Sequence, residues 1–295
     1  MSAAPEHDLI TPQLLRAWPL PEPTGGKESR GQILIVGGSA EVPGAVLLAA
    51  EGALRAGAGK LQVATVAGVV GSLSVNLPEA LVRALPETPG GAVAADAAER
   101  VLDLATEASA VLVGPGMRDV EETRGFTDQL LEHLTCPVVL DALGLASVTA
   151  DPTCLHRLQG RAVLTPNPKE LAITLHRELD EVEADPAGAA LELAQRAQAT
   201  VALGGATSWI ASPTGALWCD QSGGAGLGVS GSGDVRAGVT AGLLARGAEP
   251  DQAAAWGAHL HGRAGERLAA AIGKLGFLAR ELPAEIPRVQ EEIEL

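Results

Sequence analysis

The sequence predicts an α/β protein of three layers, a mainly parallel sheet with helices on both faces. Short strand-like runs alternate with longer helix-like ones from residue 32 to residue 271, the pattern of successive βα units. The short strand-like runs are mostly apolar rather than apolar at every second position, which fits strands covered on both faces. Nearly every one ends in a Gly, Pro or Asp loop. In open α/β sheets the carboxyl ends of the strands carry the ligand, so these loops are expected to share one rim.

The elements follow in order. Residues 1–30 form a polar, Pro-rich lead-in with a short helix near 12–18. QILIV at 32–36 reads as a strand ending in Gly37-Gly38-Ser39, and the Ala/Leu-rich stretch 44–56 as a helix stopped by Gly57 and Gly59. A strand at 61–66 precedes an amphipathic helix over 96–106. The strand 110–113 ends in Gly114-Pro115-Gly116, a helix spans 119–134, and the strand 138–140 ends at Asp141. The strand 162–164 runs into Thr165-Pro166-Asn167-Pro168, and a helix at 185–199 leads to a strand at 200–203 ending in Gly204-Gly205. Runs 208–211 and 216–219 flank Pro213-Thr214-Gly215 and read as a hairpin. Two closing helices cover 235–246 and 252–271. No repeat and no internal linker divides residues 31–295, which are expected to form a single domain.

Composition narrows the function class. With 46% hydrophobic and 19% charged residues the chain can bury a sizeable core. It has no Tyr and two Phe, so that core must be Ala, Val and Leu packed closely, with Gly where backbones approach. A net charge of −15 disfavours nucleic acid and anionic lipid as partners. An anionic ligand must therefore be held by local dipoles and a few cations. Cys136, Cys154 and Cys219 lack metal or redox spacing and read as reduced, buried thiols. No run reaches the roughly 18 apolar residues of a membrane span, and the polar amino terminus does not resemble a signal peptide, which implies a cytoplasmic protein.

The segment L-G-V-S-G-S-G-D-V-R-A-G at 227–238 carries the most chemistry. Its small residues let backbone N–H groups crowd around an anion, at the positive end of the following helix. Asp234 stands at that helix start. A carboxylate beside an anion site repels the anion, and the role that compensates is proton abstraction from, or orientation of, a hydroxyl that meets a phosphoryl group. Other features are ambiguous alone. Gly37-Gly38-Ser39 before Gly44-Ala45 is a phosphate loop or a tight turn, and neither a dinucleotide fingerprint nor a P-loop. Asp141 is a rim carboxylate or a helix cap, and Glu170 a rim carboxylate or a first-turn residue. His259 and His261, two apart on a helix, face different ways, and His261 reads as a buried, hydrogen-bonded side chain. Trp209 and Trp218, on opposite arms of the hairpin, pair, cover an adenine, or pack in the core or a subunit contact.

The order of these pieces resembles the ADP/ATP-dependent NAD(P)H-hydrate dehydratases of the ribokinase-like superfamily. The likeness runs from Lys27 to Leu268. It takes in G-Q-I-L-I-V-G-G-S, N-L-P-E-A, V-G-P-G-M, V-V-L-D-A, L-T-P-N-P-K-E-L, G-S-G-D-V and H-L-H-G-x-A-G. The resemblance implies a ribokinase-like fold and a repair reaction on NADH-hydrate or NADPH-hydrate. The C6 hydroxyl is phosphorylated and phosphate is then eliminated. It implies Asp234 as the catalytic base and an anion hole at Gly231, Ser232 and Gly233. Gly204, Gly205, Ala206, Thr207 and Ser208, with Gly233, would bind the nucleotide, and Ala45, Gly116 and Asn167, with Asp234, would line the hydrate. ADP or ATP is the implied donor, with Mg2+, and a homo-oligomer, a tetramer, the implied assembly. No residue is assigned to a metal.

Four positions depart from the family pattern. Gly204 replaces a lysine, Asn167 a histidine, Leu143 a second acidic residue, and Arg236 a leucine. Arg236 either supplies the missing positive charge or faces solvent. A kinase of a small alcohol or vitamin precursor shares the fold and the base. A non-catalytic nucleotide-binding relative is the third reading.

Overall fold

The computed structural model describes residues 6–22 and 25–295; residues 1–5 and 23–24 of the lead-in lie outside them. Ten strands form one sheet: β1 Asp8–Leu9, β2 Gln32–Val36, β3 Lys60–Val66, β4 Ala80–Leu85, β5 Ala110–Val113, β6 Val138–Leu140, β7 Ala162–Leu164, β8 Thr200–Leu203, β9 Ser208–Ala211 and β10 Leu217–Asp220. Their order is β1-β10-β9-β8-β7-β6-β5-β2-β3-β4. All neighbours are parallel except at β9, which runs antiparallel to β8 and β10. That reversal has a use. It lets β8 and β10 both deliver their carboxyl ends to the same rim without a crossover helix between them.

The central strands β5, β6, β7 and β8 are buried at every residue, as their nearly unbroken apolar runs predict. Helix Pro186–Ala197 covers β8 on one side and Pro250–Ala271 on the other. On the latter face, Gly44–Arg55 and Ser232–Ala245 lie against each other with almost no side chain between them. A Cβ on Gly238 would stand 2.0 Å from the Ala49 carbonyl oxygen, one on Gly242 would press on the Ala53 carbonyl at 2.5 Å, and one on Gly52 would lie 2.7 Å from the Val235 carbonyl. Close backbone approach thus replaces the bulk that a chain without Tyr lacks.

The segment after residue 5 joins the same body. Strand β1 pairs in parallel with β10. Helix Pro12–Ala17 rests on the C-terminal helix Leu282–Glu294, where Arg16 donates to the Ile293 carbonyl at 3.1 Å. The four tryptophans meet here. Trp218 stacks on Trp18 with ring centroids 5.5 Å apart, the Trp209 ring meets the edge of His7 at 4.9 Å, and Trp256 Nε1 donates to the Trp18 carbonyl at 2.9 Å.

The expected strands and hairpin are present, with helix ends shifted by a few residues. The helix expected over 96–106 is instead a 3₁₀ helix, Ala95–Val101, followed by a short α-helix, Leu102–Glu107. The amphipathic pattern itself is real, since Ala97, Ala98, Val101, Leu104 and Ala105 are all buried. The winding changes because the Glu122 carboxylate takes the Ala95 N–H at 2.7 Å, and Val101 sits at φ −117°, ψ −2° where the 3₁₀ turns hand over to α. The closing helices are three, not two. In Leu282–Glu294, Pro287 stands inside the helix while Leu282, Ile286, Val289 and Ile293 bury one stripe. Cys219 is buried, whereas Cys136 and Cys154 are only half-buried, and all three are free thiols. Among the described residues no helix is long and apolar enough to cross a membrane.

Candidate functional site

The loops that follow β2, β5, β6, β7 and β8 crowd one rim, as the parallel topology requires. Their glycines mark the contacts. Gly37 abuts the Pro115 carbonyl and Gly114 the Asp141 carbonyl, neither leaving room for a Cβ. Past β7 and β8 the rim opens into a cavity of about 580 Å³, a size that suits a small-molecule ligand. Its walls are the loop after β7 (Asn167, Pro168), the β8–β9 turn (Gly204, Gly205, Ala206, with Ser208), residues 222–228 after β10, and two helices. Ser232, Gly233 and Arg236 come from Ser232–Ala245, and His261 and Gly262 from Pro250–Ala271.

Most residues assigned to nucleotide from the sequence therefore share one cavity: Gly204, Gly205, Ala206, Ser208 and Gly233 line it, together with Asn167 and Ser232. Thr207 belongs to the same turn without lining the cavity, and Gly231 and Asp234 stand at its edge. Ala45 and Gly116 form a second cluster, apart from the cavity. Gly116, at φ +68°, has Ala45 Cβ 2.8 Å and Gly38 Cα 3.3 Å from where its own Cβ would stand. Leu48, one turn along the helix from Ala45, fills the space beside Gly231, and Asp234 Oδ2 lies 3.8 Å from the same spot. Asp234 thus stands where the cavity and the Ala45–Gly116 cluster approach each other.

The turn into the helix is built from its small residues. Gly231 caps it at φ +88°, a conformation that favours glycine. Of the anion-hole residues expected at 231–233, Ser232 and Gly233 differ, and the Asp234 amide, which was not among them, joins Gly233. The Ser232 N–H already donates to the Val229 carbonyl at 3.2 Å, while those of Gly233 and Asp234 have no carbonyl one turn back. These two first-turn amides are the free donors of the helix N-terminus. The Ser232 hydroxyl is held by His261, with Oγ and Nε2 2.9 Å apart. His261 is indeed buried and hydrogen-bonded, yet it also reaches the cavity wall, which its spacing from His259 did not signal. His259 turns the other way, with Nδ1 2.7 Å from Asp220 Oδ1.

Electrostatics separates the titratable groups. Burial, then the nearby Glu170 carboxylate, pushes Asp234 up to about 6. Burial raises Asp141 to about 7, against the Thr165 hydroxyl that donates to its Oδ1 at 2.7 Å. Asp141 stands at the end of β6 with its carboxylate buried, and its side chain makes no cap hydrogen bond. Glu170 is both things the sequence allowed. It closes a capping box with Asn167, each side chain accepting the other's N–H at 2.9 Å, and burial raises it while Arg236 opposes the rise. Burial, then the Arg236 charge, drives His261 down to about 3, so it is neutral at physiological pH. Arg236 is 8% exposed and does not face solvent. Leu143 packs half-buried against the core.

The tryptophans take no part in the cavity lining. Trp209 is registered with Cys219, and Trp218 with Ile210, so the two rings leave opposite faces of the hairpin and cannot pair. They pack on the amino-terminal segment instead. Among the described residues no three His, Cys, Asp or Glu side chains are grouped to hold a metal ion.

A carboxylate poised near 6 at the first turn of a helix, with two free amides beside it and a glycine-walled cavity adjoining, is equipped for phosphoryl transfer to a hydroxyl. A sequence profile of the NAD(P)H-hydrate dehydratases matches residues 33–288. The chain belongs to the NAD(P)H-hydrate dehydratase family. Within that family it is 45% identical over 290 residues to the ADP-dependent (S)-NAD(P)H-hydrate dehydratase of Xanthomonas campestris, covering 98% of each chain. Against the bifunctional NAD(P)H-hydrate repair enzyme of Moorella thermoacetica it is 37% identical and spans 55% of that longer protein. The crystal structure of the Bacillus subtilis ADP/ATP-dependent dehydratase, co-crystallised with ATP/Mg2+, superposes with a TM-score of 0.83 at 29% identity, covering 100% of both chains. The fold is ribokinase-like, as the motif order implied.

Proposed function

We propose that this chain repairs hydrated NADH and NADPH at the expense of ADP or ATP. The observation that carries the reading is Asp234, a carboxylate raised to about 6 beside the free Gly233 and Asp234 amides, in a chain of this family. Asp234 takes the proton of the C6 hydroxyl as its oxygen forms a bond to the terminal phosphorus of the nucleotide. The nucleotide leaves one phosphate shorter, and the first-turn amides hold the transferring phosphoryl oxygens. The lone pair of the ring nitrogen then expels phosphate from C6 and a proton leaves C5, restoring the double bond. Residues 204–208 and Gly233 hold the donor's phosphates, and Ala45, Gly116 and Asn167 line the hydrate. Mg2+ would be carried in on the nucleotide, whose phosphate oxygens are the hard ligands it prefers. When bound it neutralises phosphate charge. The working form is a homo-oligomer, which light scattering measures directly.

The test is recovery of dihydronicotinamide absorbance when protein, NADH-hydrate and Mg2+ are mixed with ADP or with ATP. Recovery with release of inorganic phosphate is expected, and the donor that supports it is thereby identified. A phosphorylated product that persists, with no free phosphate, would instead place the chain among the small-alcohol kinases.

The pH profile has a definite sign. Asp234 works as a base only when ionised, so kcat/KM is expected to fall as pH drops through about 6, by tenfold per pH unit below it. A profile flat down to pH 4.5 would remove Asp234 from that role.

A further inference from the structure

Arg236 is a buried cation without an ionic partner. Arg236 lines the cavity, and the residue is 8% exposed. Among the described residues no carboxylate lies within 4 Å of it, although Asp141 and Glu170 are near enough to be felt. Its hydrogen bonds all leave from Nη2, to the Ala202 carbonyl at 3.1 Å and the Thr165 carbonyl at 3.4 Å. Nε and Nη1 donate to no protein acceptor among the described residues. A guanidinium is permanently charged, and burying one without an anion in hydrogen-bond reach is costly. Two carbonyls aim the group; they do not neutralise it.

The loop opposite is shaped around it. A Cβ on Gly204 would stand 2.5 Å from Arg236 Nη1, 2.8 Å from Nη2 and 2.9 Å from Cζ. Gly204 does not have a positive φ, so its backbone would accept any residue. What crowds a side chain there is the guanidinium, which would have to leave its carbonyl partners to make room. Gly204 and Arg236 are therefore a matched pair, one leaving the volume that the other fills. Of the two nitrogens without a protein acceptor, Nη1 lies beside the very turn assigned to the nucleotide.

We propose that Arg236 is the cationic contact for the phosphate chain of the bound nucleotide, reaching it from the second turn of Ser232–Ala245 through the space that Gly204 leaves open. Nη1, the nitrogen nearest Gly204, offers its donors to phosphate oxygens while Nη2 stays on the two carbonyls. The inference rests on the reading that residues 204–208 hold the nucleotide.

The experiment measures ADP affinity by calorimetry for the wild-type chain, Arg236→Leu, Arg236→Gln, and the exchange Arg236→Leu with Gly204→Lys. Circular dichroism checks each fold. Loss of a charge-assisted contact predicts ADP binding about 10- to 100-fold weaker in both single variants. The exchange should recover most of that loss, because the added lysine enters the volume the arginine vacates. Arg236→Gln retains a donor for the Ala202 and Thr165 carbonyls and decides the matter where leucine fails to fold. A folded single variant that binds ADP like wild type overturns the proposal and leaves the nucleotide reading intact, as does an exchange that recovers nothing. If the wild-type chain binds neither ADP nor ATP, the nucleotide reading itself fails and this inference falls with it.

Discussion

Asp234→Ala is expected to lower kcat by about 10²- to 10⁴-fold, the range a positioned general base contributes. ADP binding should survive, because Asp234 touches the cavity only at its edge and the Gly233 and residue-234 amides are main-chain groups. Single-turnover kinetics with NADH-hydrate, beside ADP calorimetry, separates the two. Stability should move in the opposite direction from activity. The folded state holds Asp234 at about 6 against an ordinary value of 3.8. A group raised in this way stabilises the fold below its unfolded value and loses that contribution as pH rises through the folded one. At pH 7 the ionised carboxylate is therefore a strain. Asp234→Asn should relieve on the order of 1–2 kcal/mol after screening is allowed for, read as a Tm higher by about 2–6 °C at pH 7. The difference should vanish below pH 4. An inactive variant that is also less stable at pH 7 would contradict the assignment of Asp234 as a desolvated base.

Gly238→Ala should produce the largest loss of stability of any methyl added to the chain's helices. The new Cβ would overlap the Ala49 carbonyl oxygen and lie 2.7 Å from its carbonyl carbon and Cα. These are backbone atoms, so no rotamer change clears them and the two helices must part. Overpacking of this kind costs about 3 kcal/mol, and a Tm lower by about 6–12 °C should follow. Activity should suffer as well, because Ser232–Ala245 carries Asp234 and Arg236 at its amino end. Gly44→Ala is the control on the partner helix. Nothing lies within 4 Å of its added methyl, and alanine favours a helix over glycine by up to about 1 kcal/mol. Equal losses from the two substitutions would mean that the seam is not close-packed.

These two sites also show what the sequence made legible. Asp234 could be found because a carboxylate in a run of small residues before a helix has few bland explanations. The strands β5 to β8 could be read because full burial leaves them apolar apart from Thr200 at the start of β8, whose hydroxyl donates to Asp251. Periodicity located the buried face at residues 97–105 but could not tell 3₁₀ from α winding, since both place those residues inward. The helix Leu282–Glu294 stayed hidden behind Pro283 and Pro287, whose local cost tertiary packing overrides. Arg236 was visible only as an oddity. Its meaning depends on Gly204, which is thirty-two positions away in the chain and adjacent in space, and no local pattern encodes that pairing. His261 was passed over for the same reason, as its partner Ser232 comes from another helix.

The tryptophans have an optical consequence. The chain has no Tyr and four Trp, so its near-ultraviolet emission comes from indole alone. Every one of those rings sits where residues 6–22 dock, on Trp18, its carbonyl, or His7. None lines the cavity. Intrinsic fluorescence is consequently a reporter of one event, the seating of the amino-terminal strand and helix on the sheet edge, and is blind to occupancy of the rim. A melt followed by emission and the same melt followed by far-ultraviolet dichroism compare that edge with the whole molecule, without any dye or engineered probe.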